Sequence, residues 1–273
     1  PYSIDDMQAL YKQDPKFTAD IVVNISVKDD NTIPNSKVKL RDDGEGDLKI
    51  WAVPNCLQVE NRYLVSVDIG GKSTTSDYTV MTVIDRFGMI PTVKGKPKVV
   101  ARYRGHVRHD KLAWMAAALA HYYDDALLVI ESNTADREKN NNTEGDHFLT
   151  ILQEIADYYD NLYQRTSSSE NVEDNVLAKY GFQTNKLTKQ QVIDNLEEFI
   201  DDNLYEEPDK EMYHELRIYE RHDDGSLGNI VGNGNHDDVV MSTGIGLFVS
   251  LTDMEKPSWK KAERRSRGGD GVH

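Results

Sequence analysis

Acidic side chains stand at the ends of two predicted strands and at the start of a predicted helix. Asp68 ends the apolar run Tyr63-Leu-Val-Ser-Val-Asp68, Glu131 ends a second apolar run, and Asp237-Asp238 opens a helix-like run. Carboxylates held close together raise one another's pKa, so a fold that gathers them usually needs a divalent cation to offset their repulsion. Hard oxygen ligands favour Mg²⁺ or Mn²⁺, and two such ions about 4 Å apart can activate a water and stabilise the leaving oxygen of a phosphodiester. These residues therefore favour a metal-dependent nuclease.

The spacing of apolar residues predicts the elements that carry these acids. Alternating runs predict strands over 63–68, 78–85 and about 98–104, joined as an antiparallel meander, with a later edge strand over 217–220. Helical spacing after the possible cap Asp110 predicts a helix that leads to a parallel strand over 126–131. Further helical stripes cover 148–159 and a segment that starts at Thr188 with Gln191 in a capping-box position. The pattern indicates an α/β fold.

Length and composition indicate one main domain with appendages. A chain of 273 residues with 38% hydrophobic content can bury a sizeable core. Residues 1–60 are mixed and polar and are predicted to form a linker or accessory segment, 61–252 form the α/β domain, and 253–273 form a flexible basic tail. The single Cys56 excludes an internal disulfide, and neither a signal peptide nor an apolar run of about 18 residues is visible. A soluble intracellular protein is expected.

The charge is strongly acidic overall but unevenly distributed. A formal net charge of −15 argues against strong autonomous binding to nucleic acid, because Lys and Arg supply most non-specific affinity. The stretch from Arg86 to Lys111, which includes Arg102 and Arg104, is basic apart from Asp110. It could form a cationic track for DNA or a solvated hairpin face, because alternation along a strand could split its residues between two faces.

The order of these elements and acids resembles the ribonuclease H-like nucleases, and most closely the C-terminal nuclease domain of phage terminase large subunits. The resemblance covers about residues 60–252. The ordered motifs that carry it are Val67-Asp68-Ile-Gly-Gly71, Ser76-Asp77-Tyr78, Val129-Ile-Glu131-Ser-Asn133, Lys179-Tyr-Gly-Phe182 with Thr184, Thr188 and Lys189, and Gly234-Asn-His236-Asp237-Asp238-Val239-Val240.

The resemblance implies a ribonuclease H-like mixed sheet, with a three-strand antiparallel meander plus parallel strands, flanked by helices. It implies an endonuclease that cuts concatemeric double-stranded DNA with two Mg²⁺ or Mn²⁺ ions. Asp68 and Glu131 match two family metal ligands and catalytic positions, Asp238 is favoured over Asp237 for the third, and Asp77 matches an additional acidic position. Asp237 or His236 could orient ligands or water, and Lys189 and Lys72 could contact phosphate.

The ATPase motor of large terminase subunits has no counterpart here, because Ser66 occupies the place of the first P-loop glycine before Gly71-Lys72-Ser73. The resemblance then implies a motor in the same protein or in a separate chain, with a small terminase subunit and a portal as further partners and no membrane contact. The expected location is the host cytoplasm, at the viral procapsid, for a phage- or prophage-encoded protein.

Two other functions remain open at this stage. Asp68-Ile-Gly-Gly-Lys-Ser73 also resembles the phosphate-binding hairpin of sugar-kinase and actin-like ATPases, although a second Gly-rich phosphate turn after a strand is not visible. The domain could instead be a non-catalytic docking module of the packaging machine. Each acid alone also has a structural explanation: Asp68 as a turn residue, Glu131 as a surface group at a strand end, and Asp237 as a helix N-cap.

Overall fold

A computed structural model describes residues 2–24, 36–41, 44–70, 77–132, 151, 154–165, 180–222, 225–230 and 235–260. The helices are α1 (Ile4–Tyr11), α2 (His109–Tyr122), α3 (Lys186–Asp201), α4 (Lys210–Arg217) and α5 (Asp238–Thr252). The strands are β1 (Phe17–Val22), β2 (Lys37–Arg41), β3 (Leu48–Ile50), β4 (Val59–Glu60), β5 (Tyr63–Asp68), β6 (Thr79–Asp85), β7 (Lys98–Gly105), β8 (Leu127–Ile130), β9 (Tyr219–Arg221), β10 (Leu227–Asn229) and β11 (Ser258–Trp259).

A seven-stranded mixed sheet in the order β2-β1-β3-β7-β6-β5-β8 forms the centre of the fold. Strands β5, β6 and β7 form the predicted antiparallel meander. Strand β8, which follows α2, pairs parallel to β5, with Val67 beside Ile130. The predicted meander, helix and parallel strand are therefore confirmed, as is a mixed α/β sheet flanked by helices.

The two faces of the sheet carry different helices, and the alternation of side chains along each strand decides which face a residue joins. Val65 and Val67 of β5 pack with α2 in one core cluster, whereas Leu64 packs with α5 and α3 in the other. Helix α5 lies close to the sheet at Gly246, where an added Cβ would stand 2.7 Å from Ile84 Cδ1. The side of the sheet that carries Leu64 and packs against α5 is the α5 face.

The sheet does not divide at residue 60, in contrast to the predicted linker over 1–60. Strand β3 pairs with β7, and β1 pairs with β3 and β2, so these strands extend the central sheet. Helix α1 buries Met7 in the cluster on the α5 face. The predicted tail over 253–273 also begins too early, because β11 pairs with β4. Residues 261–273 lie outside the described part of the chain.

Three predicted element ends differ from the structure. Helix α3 is capped by Asn185, whose Oδ1 accepts from the amides of Leu187 and Thr188, so Thr188 closes the capping box instead of opening the helix. Helix α2 begins at His109, which places Asp110 inside the helix. Arg217 ends α4, and the strand that follows pairs only with β10 among the described residues.

No described helix is long and apolar enough to cross a membrane.

Candidate metal centre

Asp68 and Glu131 lie side by side at the ends of neighbouring parallel strands. The Glu131 amide donates to the Val67 carbonyl at 2.9 Å and continues the register of β8 along β5. Alternation places Asp68 on the same face as Leu64, and Glu131 on the same face as Val129. Both carboxylates therefore lie on the α5 face, and they are close enough to share a hydrogen bond.

The start of helix α5 brings two more carboxylates to this edge of the sheet. Asp237 occupies the N-cap position, but its side chain makes no capping hydrogen bond, which removes the cap explanation for this residue. Its Oδ2 lies 3.3 Å from the Lys189 ammonium. Asp238 is 6% exposed, and its Oδ2 accepts a hydrogen bond of 3.0 Å from the Tyr78 amide. That hydrogen bond ties α5 to the segment before β6.

A third group of potential ligand atoms comes from Asp77, His236 and Asp238. One atom from each of these three side chains lies within 4.8 Å of the other two. The approach depends on Gly70, where an added Cβ would stand 2.2 Å from the Tyr78 carbonyl carbon. Because no side chain could fit at that position, Gly70 allows the chain after Asp68 to pass directly beside residues 77 and 78.

The electrostatics of the site show how much these acids repel. Burial and the neighbouring Glu131 raise the pKa of Asp68 well above its usual range, and Asp238 and Asp237 raise it further. Burial also raises the pKa of Asp238 to about 7, and Asp77 and Asp237 add to this, whereas the hydrogen bond from Tyr78 opposes it. The site therefore holds more carboxylates than can ionise together without a positive partner.

The donor set fits a divalent cation. Carboxylate oxygens are the ligands that Mg²⁺ and Mn²⁺ prefer, and an imidazole nitrogen also suits Mn²⁺ and Co²⁺. His236 Nδ1 is buried and finds no hydrogen-bond partner among the described residues, although it lies 3.5 Å from Asp77 Oδ1 and 3.6 Å from Asp238 Oδ2. A buried polar atom without a partner, beside two carboxylates, is consistent with a position for a cation ligand.

The basic residues proposed as DNA contacts have different surroundings. Arg102 is 1% exposed and donates to Glu207 and Asp209, so the prediction that it contacts DNA is wrong. Alternation turns it toward the helices instead of toward solvent. Arg104 remains partly exposed at the site, with its guanidinium 3.6 Å from the centre of the Tyr78 ring. Lys189 pairs with Asp237, and Lys72 lies outside the described residues.

Sequence reasoning missed Glu215, a buried acid of α4 that contacts the start of α5. Its Oε2 accepts from the amides of Val239 and Val240 at 2.8 and 3.1 Å. Burial raises the pKa of Glu215 to about 8, although these hydrogen bonds oppose the shift. The only signal in the sequence is its position three residues after Met212, which places it on the buried stripe of α4.

Comparisons with known proteins give a structural match without a sequence match. No protein-family model matches the chain, and no curated protein matches it. The large terminase nuclease from thermophilic phage G20c with bound magnesium aligns with a TM-score of 0.52 and 16% identity, over 90% of this chain and 97% of that chain. The same nuclease with bound cobalt gives 0.51 and 16%, and a further structure of it gives 0.50 and 17%, at the same coverage. The chain thus has the ribonuclease H-like fold of the phage large terminase nucleases.

Proposed function

We propose that the chain is a divalent-cation-dependent endonuclease that cuts double-stranded DNA, as the nuclease domain of a viral DNA-packaging terminase. The observation that carries this proposal is the convergence of Asp68, Glu131, Asp237 and Asp238 at one edge of the sheet. The fold of the phage large terminase nucleases supports it, and those structures are described with bound magnesium and with bound cobalt. Two Mg²⁺ or Mn²⁺ ions are the proposed cofactors.

The reaction is phosphodiester hydrolysis in which the chain positions the cations, the water and the DNA strand. Divalent cations, when bound, supply the Lewis acidity that lowers the pKa of a water and offsets the charge on the departing 3′ oxygen. The carboxylates of Asp68 and Glu131 would bind the cations from the ends of neighbouring strands. The carboxylate of Asp238 would bind from the start of α5. Each acts as a carboxylate in this role, so the raised pKa of Asp68 and of Asp238 makes cation binding compete with protons.

The residues around these acids orient them and offer contacts to DNA. The Tyr78 amide donates to one oxygen of Asp238. The ring of Tyr78 contacts the Arg104 guanidinium and stacks on the His106 ring, with the two ring centres 4.3 Å apart. Lys189 and Arg104 remain the proposed phosphate contacts in the described part of the chain. Because the net charge is −15, affinity for free DNA is expected to be weak.

The weak expected affinity fits a nuclease that works inside a larger machine. We assign delivery of DNA to an ATPase motor, in the same or a separate chain, with the small terminase subunit and portal as further partners. Tethering would raise the local DNA concentration and replace intrinsic affinity. Assembly at a procapsid in the host cytoplasm belongs to the same proposal.

The cleavage experiment uses supercoiled plasmid and the purified chain at low salt, with Mg²⁺, Mn²⁺, Co²⁺ or Ca²⁺, or with EDTA. We expect nicked and linear products with Mn²⁺, and none with EDTA, because the acids cannot act without a cation. A plasmid that remains supercoiled under all conditions, with folded protein that binds no Mn²⁺, would instead support the docking module. Thermal protection by ATP without DNA cleavage would support the kinase-like hypothesis.

Cation binding is expected to depend steeply on pH. Asp238 has a pKa of about 7 in the cation-free chain and must lose its proton to coordinate. Loss of this proton should raise the Mn²⁺ affinity about tenfold per pH unit below pH 7, and the contribution of Asp238 should level off about one pH unit above its pKa. Calorimetric titration in two buffers of different ionisation enthalpy measures the protons released. An affinity that is the same at pH 6 and pH 8 would contradict the raised pKa.

A further inference from the structure

Helix α5 begins without a cap from its own sequence. The first turns of a helix leave amide groups unpaired, and an Asp at the N-cap normally accepts from them. Asp237 stands at that position but makes no such bond and pairs with Lys189. The carboxylate of Asp238 accepts from Tyr78 instead. Both acids therefore leave the amides of α5 to another acceptor.

The acceptor is Glu215, which reaches the helix start from α4. Glu215 is 6% exposed, and one oxygen of its side chain accepts from the amides of both Val239 and Val240. The positive end of the helix dipole favours a carboxylate at this place. Its second oxygen lies 3.9 Å from Arg104, the residue that stacks on Tyr78. Glu215 therefore contacts the first turn of α5 and also Arg104, which in turn contacts Tyr78, the donor to Asp238.

We propose that Glu215 is a positioning residue that caps α5 in place of Asp237, so that the carboxylates of Asp237 and Asp238 stay available to divalent cations. The proposal rests on the proposed function, because it assigns these two acids to cation binding. Without Glu215, we expect the side chain of Asp237, which stands at the N-cap position, to accept from the free amides and so to turn toward its own helix and away from the site. Supporting groups of this kind typically change metal affinity by about 10–100-fold.

The test compares two substitutions of Glu215 with a control at the other end of the same helix. Glu215→Met removes the acceptor but keeps the volume of the side chain, whereas Glu215→Gln keeps a carbonyl oxygen that can accept from the amides. The control is Ser250→Ala, which removes the hydroxyl that accepts from buried Arg86 near the end of α5. Mn²⁺ affinity is measured by calorimetry, amide exchange of Val239 and Val240 by NMR, and plasmid cleavage in parallel.

We expect Glu215→Met to bind Mn²⁺ about 10–100-fold more weakly than wild type and to exchange both amides faster. Glu215→Gln should retain most of the affinity and the slow exchange. Ser250→Ala should melt at a lower temperature with unchanged affinity. Wild-type affinity in Glu215→Met, or an equal loss in Ser250→Ala, would overturn the proposal.

Two further outcomes separate this inference from the proposed function. Fast exchange of the Val239 and Val240 amides in the folded wild type would overturn the capping role even if Glu215→Met does not fold. A wild type that binds Mn²⁺ but never cleaves DNA would overturn the nuclease, while the affinities of the Glu215 and Ser250 variants would still decide the role of Glu215.

Discussion

Asp68→Asn is expected to abolish cation-dependent DNA cleavage and to stabilise the cation-free protein. The amide lacks the charge that a cation ligand at the centre of the acidic group must carry, so several kcal/mol of transition-state stabilisation is lost, about 10³-fold in rate. The gain in stability arises because burial and Glu131 disfavour ionised Asp68 in the folded chain. Plasmid cleavage and thermal unfolding with and without Mn²⁺ measure both effects.

The pH dependence of the gain follows from the direction of the pKa shift. The folded-state pKa of Asp68 is raised above its unfolded value of about 3.9, so wild type loses stability as the pH rises from that value through the folded pKa. Asp68→Asn carries no such loss, and its advantage should be larger at pH 8 than at pH 5. The melting temperature should rise by about 2–4 °C for each kcal/mol of repulsion relieved.

Saturating Mn²⁺ should reverse the order of the two melting temperatures, because a ligand stabilises only the protein that binds it. Wild type would then melt above Asp68→Asn. Asp157→Asn is the matched control: it removes an exposed carboxylate whose loss should change neither cleavage nor the response to Mn²⁺. Cleavage at the wild-type rate by Asp68→Asn would eliminate the assignment of Asp68 to the metal centre.

The meander and the strand after α2 could be predicted because local patterns specify them. The runs that end at Asp68 and Glu131 are apolar and strand-like, and β6, β7 and α2 lie between them along the chain. The parallel register then sets the two acids side by side without any further information. Local patterns alone did not predict the cluster of Asp77, His236 and Asp238, and Asp77 and His236 are named only through the family resemblance. The cluster depends on the close approach at Gly70 and on where α5 lies against the sheet.

The missed parts of the fold depend on pairing between distant segments. Strand β3 has three residues, too few for a clear alternation, and it is held by β7, about fifty residues later. The direction of the Arg102 side chain depends in the same way on Glu207 and Asp209, which precede α4 and lie more than one hundred residues away in the chain. The role of Glu215 depends on contact between α4 and α5. A single sequence carries no local signal for such contacts.

Arg102→Met is expected to cause the largest loss of stability of any single substitution discussed for this chain. The guanidinium is surrounded by Glu207, Asp209 and Thr243 beneath the helices. Burial opposes its charge, but Glu207 and Asp209 outweigh this effect and raise the pKa of Arg102. Removing one partner of a buried ion pair leaves uncompensated charge and costs about 3–5 kcal/mol. Urea unfolding at pH 8 measures the free energy of unfolding.

The loss should shrink at low pH, since the acids left behind can then take up protons. Burial raises the pKa of Glu207 even with Arg102 present. Burial also acts to raise the pKa of Asp209, but Arg102 and Lys49 outweigh it and hold that pKa below its ordinary value. Without the guanidinium, the folded pKa of each acid should rise. A carboxyl whose pKa is raised in the folded chain lowers the stability at high pH. This stability is regained as the pH falls toward the pKa of about 4 that the group has in the unfolded chain. Adding Glu207→Gln and Asp209→Asn to the variant should therefore recover much of the stability at pH 8.

The control Arg108→Met removes a guanidinium with a 73% exposed side chain and should cost less than about 1 kcal/mol. If Arg102→Met also costs less than about 1 kcal/mol, and if this cost is the same at pH 5 and pH 8, then the ion pairs of Arg102 contribute little to the stability of the folded state.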